Sequence, residues 1–260
     1  MFIAVQKESK NRDILLLKIG THPIYLTKLF FYNILLGMSR IARAVIAGYP
    51  HHVVQKGNNK GNIFFDEKDR WVYLYLLKKY AEKRGCSVLA YCLMPDHMHL
   101  LLKPLQEDSL SKTMQGLTLC YTQYINKKYN KSGRLWENRF YSCIVDKENH
   151  LWHAARYIEQ NPKRAGIVDR VEEYPYSSAI AHVTGITDKV LDEEIFGDIG
   201  RSEYVDFLRS TLGDDEINEI RYCTRAGRPF GSEIFMEAIG RSLGRDLMRR
   251  PRGRPRREPL

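Results

Sequence analysis

The chain has 260 residues with 43% hydrophobic side chains, ample for one sizeable packed domain plus an appendage, which excludes a disordered or fibrous protein. A formal net charge of +10 with a pI near 9.3 directs it toward polyanions, nucleic acid first and an anionic membrane surface second. The five cysteines, Cys86, Cys92, Cys120, Cys143 and Cys223, are odd in number and contain no C-x-x-C pair, which argues against a disulfide framework or a zinc ribbon and for reduced thiols in a cytoplasmic protein.

Residues 1–37 connect poorly with the rest of the chain and read as an upstream, poorly ordered extension, with Met38 as the natural start. The apolar run from Leu15 to Leu36 is interrupted by Lys18, His22, Pro23 and Lys28 and lacks a small-residue cleavage site, so a membrane anchor is the weaker reading. Residues 45–56 end in a β-rich run, and Gly57-Asn-Asn-Lys-Gly61 has turn chemistry. Residues 66–84 form an amphipathic pattern closed by Gly85. Strands are expected at about 87–94 and 97–103, hinged at Pro95-Asp96, then a helix over about 109–129 capped by Ser109. A strand comes next over 139–146 and a helix over 147–161, ended by Asn161-Pro162.

The order β-α-β-β-α-β followed by a helix predicts an α+β fold, the ferredoxin-like split βαβ plan, with an antiparallel sheet carrying helices on one face. The expected division is an extension over 1–37, a domain over 38–183, and a mainly helical, basic extension over 184–260. In that last part residues 201–221 read as helical. From Arg221 onward eleven arginines stand against Glu233, Glu237, Asp246 and Glu258, so 11 − 4 leaves about +7 of the total charge.

Two histidines open the strand at 97–103. Alternate strand residues share a face roughly 6.5 Å apart, so His97 and His99 converge while Met98 faces away, which is the spacing of a metal clip. A divalent ion needs further donors. Tyr157 and Asn161 are four apart on one helical face, so the Asn161 amide is a candidate third ligand with a phenol one turn away. Gln160 is the neighbouring alternative.

The ordered motifs Y-C-L-M-P-D-H-M-H-L-L-L-K-P, L-W-E-N-R-F, R-Y-I-E-Q-N-P-K-R-A-G-I-V and E-Y-P-Y-S-S-A, spread over about residues 38–183, resemble the REP-associated tyrosine transposases, a branch of the single-tyrosine HUH transposases. The resemblance implies metal ligation by His97 and His99, with Asn161 as third ligand in place of the glutamine of some relatives, and Tyr157 as nucleophile. It implies a divalent cofactor, Mg2+ or Mn2+, whereas imidazole ligands alone favour zinc, manganese or nickel over magnesium. It further implies cleavage and rejoining of single-stranded DNA at hairpin-forming repeats through a 5′-phosphotyrosine, by a monomer or homodimer at the nucleoid, with no membrane partner. The rival readings are a DNA-binding regulator that no longer cuts and a metal phosphoesterase that uses water.

Other aromatic and basic residues admit two readings each. Tyr121, Tyr124, Tyr129 and Trp136 interleave with Lys127, Lys128, Lys131, Arg134 and Arg139, as in a single-strand groove or as a core stripe beside a solvated basic face. Tyr121, Tyr124 and Tyr141 rival Tyr157 but lack its paired amide before a helix stop. His51-His52 contacts the site or DNA, or is structural. In the tail, Arg252 and Arg254 lie in an Arg-Gly-Arg-Pro sequence similar to an AT-hook core, the alternative being a disordered basic tail.

Overall fold

In a computed structural model of the chain, residues 14–19 and 22–27 are described as backbone, and residues 43–147, 150–196, 200–244 and 247 in full. The chain divides after Arg43 into two units. In the first, β1 (Ile14–Ile19) and β2 (His22–Thr27) form an antiparallel hairpin with Ile14 opposite Thr27. The proposed start at Met38 and the tail arginines Arg252 and Arg254 lie outside the described residues.

The second unit is built on a four-stranded antiparallel sheet in the order β4-β5-β3-β6, where β3 is His51–Lys56, β4 Cys86–Leu93, β5 His97–Pro104 and β6 Tyr141–Ile144. The strand β5 sits between β3 and β4, the two that α1 (Glu67–Arg84) connects, which is the expected split βαβ plan. A reciprocal capping box starts α1, Asp66 accepting from the Asp69 N–H and Asp69 from that of Asp66. Gly85 ends it in the left-handed conformation that a glycine C-cap permits. The next helix, α2 (Ser109–Lys128), approaches α1 so closely that a Cβ on Gly116 would meet the Tyr80 ring at 2.4 Å. Ser109 is not its cap: it is the first helical residue, after Asp108.

Sheet register shows which helices cover which face. Cys86 pairs with Pro104 and touches Thr113 of α2, so the even-numbered side of β5 faces α1 and α2. A bulge between Val88 and Ala90 returns Cys92 to the side of His99. That second side is covered by α3 (Leu151–Glu159), and by α7 (Asp214–Ala226), which packs on β6 and β3. Helices thus flank the sheet: the pair belonging to the split βαβ core on one face, the later ones on the other.

The helix expected over 147–161 stops at Glu159, and a single turn, α4 (Asn161–Arg164), comes after it with Pro162 near its start. After α5 (Ala179–Thr184), the helical stretch expected over 201–221 is met by two helices, α6 (Arg201–Arg209) and α7. Ser210 to Gly213 turn the chain, and Asp214, Asp215 and Glu216 start α7 with the charge that a helix N-terminus favours. The basic extension is not all tail. Phe230 is buried and bonded between Ile144 and Asp146, and α8 (Glu233–Ser242) comes next, started by Ser232. Among the described residues no helix is long and apolar enough to cross a membrane.

Candidate active site

Strands β3 and β5 bring His52, His97 and His99 to the face covered by α3 and α7. The His52 and His99 rings lie nearly parallel, 5° apart, with His52 Nε2 2.9 Å from His99 Nδ1. The other nitrogen of His52, Nδ1, is 2.8 Å from the Thr224 hydroxyl on α7. Burial, reinforced by the nearby Arg164 charge, pushes the His52 pKa down to about 3. Burial first, then the neighbouring His52, His97 and Arg164, holds His99 well below the usual imidazole range. Both rings are therefore neutral near pH 7, the form that offers a lone pair. His51 points away, its Nδ1 2.8 Å from the Tyr49 carbonyl.

His97 is half-buried, with Nδ1 2.6 Å from an Asp96 carboxylate oxygen. The turn that carries Asp96 is fixed by the Gly57 N–H, which donates to the Asp96 carbonyl at 2.8 Å. A Cβ on Gly57 would lie 2.0 Å from the Gly61 carbonyl oxygen, so only glycine fits there.

Tyr157 enters from α3 and meets both inner histidines edge-on, 5.6 Å from His99 and 5.5 Å from His52 between ring centroids. The Arg164 guanidinium lies 4.4 Å over its ring, and Arg221 Nε on α7 is 3.4 Å from its hydroxyl. Tyr157 is only 4% exposed, yet it lines an open cleft of about 1200 Å³ together with His52, His97, His99 and Asn161. Among the described residues four cations, Lys56, Arg164, Arg221 and Arg225, line the same cleft against one carboxylate, Glu137. Such a lining suits a phosphodiester backbone.

The far side of α3 is anchored. Buried Glu159 accepts from the Tyr204 hydroxyl at 2.8 Å and lies 2.6 Å from His182, with Ser178 also bonded to it. Arg156 grips Glu216 of α7 through two bonds of 2.9 and 2.6 Å. Gln160 donates to the Leu208 and Ser210 carbonyls, so this alternative ligand is turned away from the cleft. The Asn161 amide is at the cleft, but its nitrogen donates to the Tyr157 and Ile158 carbonyls and its oxygen accepts from Arg164 at 2.8 Å. The Asn161 oxygen thus has one of its two lone pairs engaged by Arg164 and the other left for a ligand.

Among the described residues no three His, Cys, Asp or Glu side chains converge as a metal cluster. Two imidazoles on one ion, with bonds of ~2.1 Å, have centroids roughly 5 Å apart, and those of His97 and His99 are 5.1 Å apart. The spacing of the pair fits a divalent ion.

Of the other expected residues, Tyr121 is wholly buried against Phe64, Tyr73 and Trp136, and the Tyr124 and Tyr129 hydroxyls donate to buried Asp69. The aromatic stripe is core. Lys128 pairs with Asp66 and Asp69 at 2.6 and 2.7 Å. Lys127, Lys131, Arg134 and Arg139 are exposed and do not line the cleft, Lys131 lying 3.9 Å from the centroid of the Phe65 ring. Tyr141 does line it.

Residues 46–161 match the family described as "Transposase IS200 like". Over that span, a little under half of its length, the chain is similar to the IS200-like transposases. Along 112 residues it is 30% identical to a Haemophilus influenzae protein assigned to the REP-associated tyrosine transposases, a match covering 39% of this chain and 63% of that one. Along 101 residues it is 25% identical to the REP-associated tyrosine transposase of Escherichia coli, covering 38% and 58%. The chain thus spans less than two thirds of the length of these curated relatives. A solved REP-associated tyrosine transposase bound to a REP hairpin aligns at 20% identity with a TM-score of 0.49, over 61% of this chain and 93% of that one. The family match ends at Asn161, so Arg164 and the α7 residues at the cleft lie beyond it.

Proposed function

We propose that this chain is a tyrosine transposase, which cuts and rejoins single-stranded DNA with Tyr157 as nucleophile. The observation that supports this best is the placement of the Tyr157 phenol, beside His99 and Arg221, in a cleft lined by four cations and one carboxylate. The Tyr157 oxygen attacks a phosphodiester phosphorus, the new O–P bond forms, and the bond to the 3′ oxygen breaks. The phenolic proton is released to solvent, and the leaving 3′ oxygen takes a proton up. The 5′-phosphotyrosine conserves the bond, so a second 3′-OH rejoins it by the reverse exchange without a high-energy cofactor.

His97 and His99 would hold the Mg2+ or Mn2+ ion, which when bound polarises the scissile phosphate. Arg221 and Arg164 orient the phenol and offset charge on the non-bridging oxygens. Hairpin-forming repeats as substrate are inferred from the resemblance to REP-associated relatives. The test incubates the protein with single-stranded hairpin DNA and Mn2+. A protein–DNA adduct that resists boiling in detergent, absent in Tyr157→Phe, is the expected result. Cleavage without an adduct would move the reaction to water, and an adduct persisting in Tyr157→Phe would turn attention to Tyr141.

A further inference from the structure

Resting on the metal reading of His97 and His99, we infer that Thr224 is a positioning residue: through His52 it fixes the proton of His99 on Nδ1 and leaves the His99 Nε2 lone pair for the cleft. The three groups form one chain across β5, β3 and α7, with contacts of 2.9 Å between His99 and His52 and 2.8 Å between His52 and Thr224. Such a chain has two proton registers, and only one leaves His99 able to bind a cation.

Thr224 decides between them. Its hydroxyl donates to the Ile220 carbonyl at 2.7 Å, and a carbonyl only accepts. With its proton committed there, the Thr224 oxygen accepts from His52 Nδ1–H. His52 Nε2 then carries the lone pair and accepts from His99 Nδ1–H, so His99 Nε2 is bare. Cys143, whose sulfur is 3.4 Å from the same oxygen, is placed to donate into its second lone pair. The opposite register needs Thr224 to donate to His52, which strips the Ile220 bond and puts a proton on His99 Nε2. His97 reaches the same state by a simpler route, its Nδ1 lying against the Asp96 carboxylate. A helix beyond the family match therefore sets the state of a histidine within it.

The deciding measurement is the nitrogen-15 signature of the His99 ring in the metal-free full chain at pH 7.5, assigned by its loss in His99→Gln. The expected result is a protonated Nδ1 and an unprotonated Nε2; the reverse assignment in the wild type overturns the inference with no variant needed. Thr224→Val keeps shape but removes the acceptor, and should mix the His99 tautomers and weaken Mn2+ binding about 10- to 100-fold by calorimetry. Thr224→Ser should restore both. A Thr224→Val protein with wild-type tautomer and affinity, or a Thr224→Ser protein as impaired as Thr224→Val, would also overturn it. Wild-type protein with the expected tautomer but no Mn2+ binding would sustain the relay and refute the metal reading.

Discussion

Arg221 of α7 places its Nε 3.4 Å from the hydroxyl oxygen of Tyr157 on α3, while Arg156 and Glu216 hold those two helices together. The cation at the Tyr157 hydroxyl thus comes from the basic extension, not from the matched residues. Arg221→Met should slow adduct formation about a hundredfold, the typical loss of one donor to developing charge. Arg221→Lys should recover only part, because an ammonium does not reproduce the guanidinium fork. The measurement is single-turnover adduct formation; a full rate in Arg221→Met would leave the contact without a catalytic role.

Replacing His97 with alanine removes a half-buried imidazole and little core volume. His97→Ala should melt near the wild type yet lose Mn2+ binding and cleavage. His99→Ala should behave alike, with a larger stability loss, because its ring is buried and bonded to His52. Cleavage at wild-type rates by both variants would take the histidines out of the reaction.

The split βαβ order and the convergence of His97 and His99 were legible because both rest on short periods, alternation along strands and the 3.6-residue repeat of helices. Tyr157 and Asn161 were legible as a pair, but their surroundings were not. Arg221 and Thr224 are 64 residues from Tyr157 and 172 from His52 in the chain, and no local pattern links them. Conversely, the basic and aromatic run around Lys128 carries the same composition as a DNA groove, and only the buried Asp69 beneath it shows that Tyr124, Tyr129 and Lys128 pack on the core.

Asp69 is fully buried and accepts from the Phe65 and Asp66 N–H groups and the Tyr129 and Tyr124 hydroxyls, while pairing with Lys128. Removing this buried acceptor strands the donors around it, while Lys128 keeps Asp66, so Asp69→Ala should cost about 1–3 kcal/mol in urea unfolding. A loss under about 1 kcal/mol would show that water takes over these bonds.

His51 is buried on the face opposite the cleft, and burial, partly offset by the Tyr49 carbonyl, lowers its pKa to about 4 from a usual 6.5. The unfolded chain therefore binds the proton first as pH falls. Stability is fully present above pH 6.5 and declines down to about pH 4, by about 1.4 kcal/mol per pH unit for this one group. In His51→Leu the slope of unfolding free energy against pH between 6 and 5, measured with EDTA present, should fall by about that amount. An unchanged slope would mean that the ring is hydrated.

The arginine-rich end calls for a cut that respects the fold. Deletion from Tyr222 would remove Thr224 and the buried Phe230, and so damage the site as well as the charge. Deletion from Arg245 removes seven arginines, Asp246 and Glu258, a change of 7 − 2 = 5 positive charges, and leaves every named helix intact. If these arginines neutralise phosphates, each contributes about 0.7–0.9 to the slope of log affinity against log salt. The truncated protein should then bind hairpin DNA more weakly at low salt, with a slope shallower by about 5–6 if all seven are in contact. Adduct formation at saturating DNA should survive, because His97, His99, Tyr157 and Arg221 remain. An unchanged slope would place the tail off the DNA, whereas loss of the adduct at saturation would give it a part in the chemistry.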